Sequence, residues 1–132
     1  MITNLKEFIP LKSINYIASL IEKENIQFKI VKERNTKHGD FKRTIYGDYI
    51  ITINKFYNPY RFVLTLVHEL AHYFVTIEHY KPKPHGKLWK SKFKNLLEPI
   101  LNESVFPKDL LNCLISMVVG DLCLMISFRH KK

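Results

Sequence analysis

The sequence predicts an α+β fold, one helix followed by short strands and then by further helices. Three stretches carry that prediction. Residues 12–24 place Ile14, Ile17, Ala18 and Ile21 at helical spacing. Ile26–Val31 and Tyr49–Ile53 are short and rich in β-branched residues, with the alternation of half-buried strands. From Phe62 to Val75, apolar residues recur nearly all round a helix, which calls for burial on every side.

With 132 residues, 46% of them hydrophobic, the chain suits one domain spanning 1–132. Its core is expected over about 10–110, with a C-terminal helix and basic tail at 111–132. The first helix should start after Pro10 and end near Asn25. The segment Lys32 to Arg43 is polar, with His38-Gly39-Asp40 as the expected turn, so the strands on either side should pair in a small antiparallel sheet. Asn58-Pro59, a capping side chain followed by proline in the first turn, opens a helix expected to run to about Ile77. Lys81-Pro82-Lys83-Pro84 ends it, because two prolines cannot continue a helix. Another helix is expected from about Lys87 to Leu97, carrying Leu88, Trp89, Phe93, Leu96 and Leu97. Pro99 and Pro107 bracket a loop, and Lys108 to about Met125 reads as a last helix. Asn112 and Asp121 interrupt its apolar run, which counts against a membrane span.

The buried helix holds Val67-His68-Glu69-Leu70-Ala71-His72, a His-Glu-x-x-His run. Positions four apart share a helix face about 6 Å apart along the axis, so both imidazoles reach one metal ion. Glu69 then stands beside the open coordination position, where it can act as general base toward a water. With six His and eight Glu in the chain, random order gives this pattern in roughly one or two sequences per hundred. Two ordinary histidines and a surface Glu would be the plain alternative. In a helix that must be buried, unpaired His and Glu are costly, and a metal with its water satisfies them.

A catalytic zinc takes three protein ligands and keeps one position open. Glu78 follows His72 by six residues, but Val75 stands where a turn there would need glycine. His79 would be roughly 10 Å further along a continuing helix, too far for a bond of about 2 Å. Glu98 and Glu103 lie beyond the next helix. His85 is the better third ligand: Pro82 and Pro84 force the chain out of the helix, and Gly86 permits a tight turn just after it. His38 and His130 read as surface residues. Tyr73, Tyr80 and Arg61 are open candidates for stabilising an oxyanion.

Together, His68-Glu69-Leu70-Ala71-His72 and Pro84-His85-Gly86-Lys87-Leu88-Trp89 resemble the SprT-like metalloprotease family, whose eukaryotic relative is Spartan. The segment Lys32-Glu33-Arg34-Asn35-Thr36-Lys37-His38-Gly39-Asp40-Phe41 resembles its bacterial branch, and the likeness covers about residues 10–110. The resemblance implies a zincin-like fold with a short sheet beside the metal helix. It implies one zinc ion on His68, His72 and His85, with Glu69 as general base, and cleavage of proteins associated with or crosslinked to DNA. Many members continue into a C-terminal zinc ribbon of cysteine pairs, which this sequence lacks.

A net charge of +9 favours a polyanionic partner, nucleic acid first. Two stretches can meet phosphates: Lys32, Arg34, Lys37, Lys42 and Arg43, with Phe41 and Tyr46 available for base stacking, and Lys83, Lys87 and Lys90. A solvated surface is the plain alternative. The cysteines, Cys113 and Cys123, suit buried free thiols of a cytoplasmic protein, and no signal peptide or membrane span is expected. A protein substrate, DNA and a monomeric state are the expectations for partners. The strand Tyr49–Ile53 is a candidate for edge pairing with an extended substrate, an internal strand being the alternative. A zinc-stabilised nucleic-acid-binding module is the runner-up to a peptidase. Glu69 separates the two, since a structural zinc would need a fourth protein ligand rather than a base.

Overall fold

A computed structural model of the chain describes residues 5–120. The fold is mixed α+β, a three-stranded sheet with four helices. Helix α1 (Ile14–Ile21) follows a short 3-10 turn at Leu11–Ser13. Strands β1 (Ile26–Val31), β2 (Gly39–Arg43) and β3 (Tyr49–Asn54) come next, then α2 (Pro59–Glu78), α3 (Lys87–Leu97) and α4 (Lys108–Gly120). The expected continuation of α4 to Met125, with Cys123, His130 and the basic tail, lies outside the described residues.

The sheet corrects the expected topology. Its order is β1-β3-β2, with β3 in the centre. β1 and β3 run parallel, Phe28 opposite Ile51, rather than antiparallel. The antiparallel partner of β3 is β2, with Phe41 opposite Ile51. β2 was hidden because Gly39-Asp40-Phe41-Lys42-Arg43 has one apolar side chain and no alternation, as befits an edge strand with little to bury. The expected turn at His38-Gly39-Asp40 is therefore the entry into β2. The real turn is Thr44–Asp48, where the Thr44 N–H donates to the Asp48 carbonyl (2.8 Å) and Gly47 takes φ +89°.

α2 is the central element. Its start is fixed as expected by Asn58, whose Oδ1 accepts from the backbone N–H of Tyr60 (2.9 Å) and Arg61 (3.2 Å). Every residue from Phe62 to Ala71 is buried, so the apolar surround has its physical counterpart: β2 and β3 pack on the helix, and so does α3. One hydrophobic cluster runs from Leu5 and Ile17 through Ile51, Leu66 and Leu70 to Trp89, Phe93, Leu111 and Leu114. α4 contributes Leu111 and Leu114 to it and turns Cys113 outward; the thiol is free and exposed, not buried as expected. No described helix is long and apolar enough to cross a membrane.

Candidate metal centre

The centre is built on the buried middle of α2. His68 and Glu69 are each only 6% exposed, and His72 lies one turn on at half-burial. After α2 the backbone leaves the helix at His79, whose φ of −135° is extended, and His79 is exposed. The segment 79–86 then doubles back, with Lys81 at φ +46° and His85 at φ +58°. These are left-handed conformations that side chains adopt at a cost, and such strain concentrates at functional sites. The Gly86 N–H donates to the Lys83 carbonyl at 3.1 Å. A side chain at Gly86 would bring Cβ to 3.0 Å from the Lys83 Cβ, so glycine lets the turn after His85 close tightly.

The bend brings His85 to the other two histidines. His85 Nε2 lies 2.8 Å from His72 Nε2 and 3.2 Å from His68 Nε2, and one ligand atom from each ring lies within 4.8 Å of the others. Three imidazole nitrogens at about 2.0–2.1 Å from one tetrahedral ion stand about 3.3 Å apart, so the spacing fits a shared cation. Burial, and then His85, hold the His72 pKa down to about 4, which keeps the ring neutral as a ligand must be. His68, His72 and His85 thus form a group able to hold a metal ion. Glu78, by contrast, pairs with Lys92 at 3.0 Å.

Trp89 forms the wall behind the three rings. Its indole stacks on Phe93 (5.1 Å, 7°), lies 4.8 Å from His68 and 5.4 Å from His72, and meets His85 edge-on at 4.7 Å. Its Nε1–H donates to the His68 carbonyl at 3.3 Å. Phe41 of β2 covers His72 from another side, the rings nearly parallel at 6.4 Å. It also stacks on Tyr49, so it is not available for base stacking as expected.

Glu69 opens into a cleft of about 530 Å³ lined by the three histidines, by 35–41 and by Pro82, Lys83 and Pro84. Burial first, and then Asp40, push its carboxyl up to about 8, against the opposing pull of Arg34 and Lys37. β2 presses on it through Gly39: a Cβ there would lie 2.8 Å from Thr65 Cγ2 and 3.1 Å from Glu69 Oε2. Gly39, read as a turn residue, is the place where an edge strand meets the helix face that carries the acid. His38, read as a surface residue, is half-buried, lines the cleft and sits 3.2 Å through Nε2 from Arg61 Nη2. Only the backbone topology reveals this, since the signal in sequence is a lone His between Lys37 and Gly39.

The other candidates divide. Tyr73 is buried and its hydroxyl donates to Glu24 (2.7 Å), while Tyr80 is exposed, so neither tyrosine belongs to the cleft. Arg34 is half-buried and its Nε donates to Asn54 Oδ1 (2.7 Å). Lys37 and Lys83 line the cleft, Lys37 with Asp40 at 3.4 Å. Lys32, Lys42, Arg43 and Lys87 are exposed, and Lys90 is half-buried. No protein-family model, curated protein or solved structure matches the chain, so the centre stands on its own geometry.

Proposed function

We propose that the protein is a zinc-dependent metalloendopeptidase of SprT-like type with a zincin-like fold, acting on proteins near DNA. The observation that carries this reading is the meeting of His68, His72 and His85 beside a buried carboxyl, Glu69, in an open cleft. Three nitrogen ligands suit zinc, and a non-ligating Glu beside them suits catalysis rather than a structural site.

When bound there, zinc supplies a Lewis acid that acidifies water and polarises the scissile carbonyl. The chain's own residues do the rest. Glu69, in the protein without metal, prefers to hold a proton because it is buried; a dication on the neighbouring imidazoles favours its ionised form. Ionised, it takes the proton of the attacking water and delivers it to the leaving amine. Trp89 and Phe41 fix the imidazole planes and keep water from their backs. The strand Tyr49–Ile53 is internal and has no free edge, but β2 ends the sheet and lines the cleft. An extended peptide adds to the edge of β2, which gives main-chain affinity with broad sequence tolerance. The exposed Lys32, Lys42, Arg43 and Lys87 support contact with DNA phosphates, which makes that contact weaken steeply with salt.

The test is zinc-dependent cleavage of a denatured protein, with and without single-stranded DNA, by wild type and Glu69→Gln. The variant is expected to keep one zinc per chain and lose cleavage. Undiminished proteolysis by Glu69→Gln refutes the role of Glu69, and absence of bound zinc in wild type refutes the centre.

A further inference from the structure

We propose that the His38 end of the cleft is a subsite for a peptide carboxylate, an Asp or Glu side chain of the bound chain. Lys37 and His38 touch it, and Arg34 and Arg61 set the positive field behind them. The proposal rests on the peptidase reading and deepens it by naming a substrate preference.

Four hydrogen bonds tie the cluster together. Arg34 Nε donates to Asn54 Oδ1 (2.7 Å), and Asn54 Nδ2 donates to the carbonyls of Arg34 (3.2 Å) and Lys37 (2.7 Å). The Asn54 backbone N–H donates to the His38 carbonyl (2.9 Å). This fixes the wall of the cleft from 35 to 38 upon the fully buried Asn54 at the end of β3. Arg61, near the start of α2, reaches the same place, its Nη2 3.2 Å from His38 Nε2.

The two guanidinium groups are left incomplete. Arg34 Nη2 and Arg61 Nε are enclosed and meet no hydrogen-bond acceptor. Among the described residues the ion pairs are Lys37–Asp40 and Lys92–Glu78, so neither arginine has a carboxylate. Arg61 lies over the Phe56 ring at 4.1 Å, which stabilises the face of the cation but offers nothing to an N–H in its plane. A guanidinium cannot shed its proton, so both charges are permanent. Enclosed charged donors without acceptors are costly, and an anion in the cleft in front of them offsets part of that cost through the field alone.

The cluster also has a face toward the substrate. Lys37 and His38 line the cleft that holds Glu69 and the three metal-facing histidines. Because a guanidinium only donates, His38 Nε2 accepts from Arg61, which holds the imidazole at the rim of the cleft with its proton on Nδ1. Arg34 and Lys37 are close enough to Glu69 to pull its pKa down against the larger opposing effect of Asp40, so their charges are felt in the cleft. A carboxylate and a backbone phosphodiester each carry one negative charge, so the enclosure of the site decides between them. The half-burial of Arg34 and Arg61 suits one protruding side chain rather than a run of backbone phosphates.

The experiment is binding without turnover. Zinc-loaded Glu69→Gln protein is titrated against fluorescein-labelled peptides in which a single Glu is walked through a Gly/Ser/Ala sequence, each with a Gln twin. At one register the Glu peptide is expected to bind about tenfold tighter than its twin, with the gap narrowing at high salt. Arg61→Met in the same background closes the gap. Should Arg61→Met fail to fold, the exposed Lys37→Ala carries the test and narrows the gap about threefold. No register that prefers Glu overturns the subsite. So does a preference untouched by the substitutions, or Arg61-dependent binding of a single-stranded oligonucleotide with none of the peptides. A Glu preference in a protein that cleaves nothing keeps the subsite and removes the peptidase. Cleavage of Glu and Gln peptides at equal kcat/KM, with equal affinity, does the reverse.

Discussion

Gly39→Ala tests how closely β2 and α2 must approach. The added Cβ would stand 2.8 Å from Thr65 Cγ2, against about 3.5–4.0 Å for an ordinary carbon contact, so a gap of about 1 Å must open. Thr65 is fully buried on α2 and cannot retreat, which leaves the start of β2 to move. Overpacking of this kind costs about 1–3 kcal/mol. Removing the freedom of a glycine in the unfolded chain returns about 0.4–1 kcal/mol, because the backbone of Gly39 lies in a range open to alanine. The net loss is about 1–2 kcal/mol, a fall in Tm of roughly 3–10 °C for a chain of this size. The same Cβ would lie 3.1 Å from Glu69 Oε2 and 3.2 Å from its Cγ, so the carboxylate is pushed off its position, and none of the three nearest contacts is with a histidine. A misplacement of about 1 Å lowers turnover on the order of a hundredfold. Thermal melting, zinc content and peptide cleavage measured on one preparation therefore separate: lower Tm, full zinc, weak cleavage. Wild-type melting together with wild-type cleavage would show that the contact between Gly39 and Glu69 does not constrain the acid.

Three further outcomes are expected. His85→Ala leaves α2 packed but removes one ligand of three, so zinc should fall well below one per chain after gel filtration while the far-UV circular dichroism stays unchanged; stoichiometric zinc would mean another ligand serves. Asn54→Ala strips the carbonyls of Arg34 and Lys37 and the Arg34 Nε–H of their partners, and should cost about 2–4 kcal/mol in urea unfolding, with a loosened 34–38 segment seen by hydrogen exchange. In the chelator-treated protein the His72 pKa lies near 4, below its ordinary 6.5. The neutral ring's contribution is therefore complete above pH 6.5 and lost as pH falls toward 4, about 3–4 kcal/mol of stability at about 1.4 kcal/mol per pH unit. His72→Gln should flatten that slope, and an unchanged slope would place the acid sensitivity elsewhere.

The parts of the fold that could be read in advance are those where the chemistry is local. Asn58 and Pro59 announce α2, the two prolines announce its end, and His68 and His72 meet because helix geometry requires it. His85 could be found because a metal helix short of one ligand needs a donor that the prolines set free. The sheet could not be read so, because β2 buries almost nothing and the parallel pairing of β1 with β3 depends on a strand that the pattern conceals. With β2 concealed in the pattern, nothing local places His38 beside Arg61 or Gly39 against Glu69. Long-range placement, not residue type, decides those roles.

The third imidazole hangs on a segment of a different character from the helix that carries the other two. Lys81 and His85 each sit in backbone wells that cost about 1–3 kcal/mol, so the span between α2 and α3 is sprung rather than relaxed. Ion capture would then proceed in stages, the rigid pair gripping first and the bend latching afterwards. Stripping the ion should unlatch that bend, making 79–86 the first place an added protease nicks the native chain.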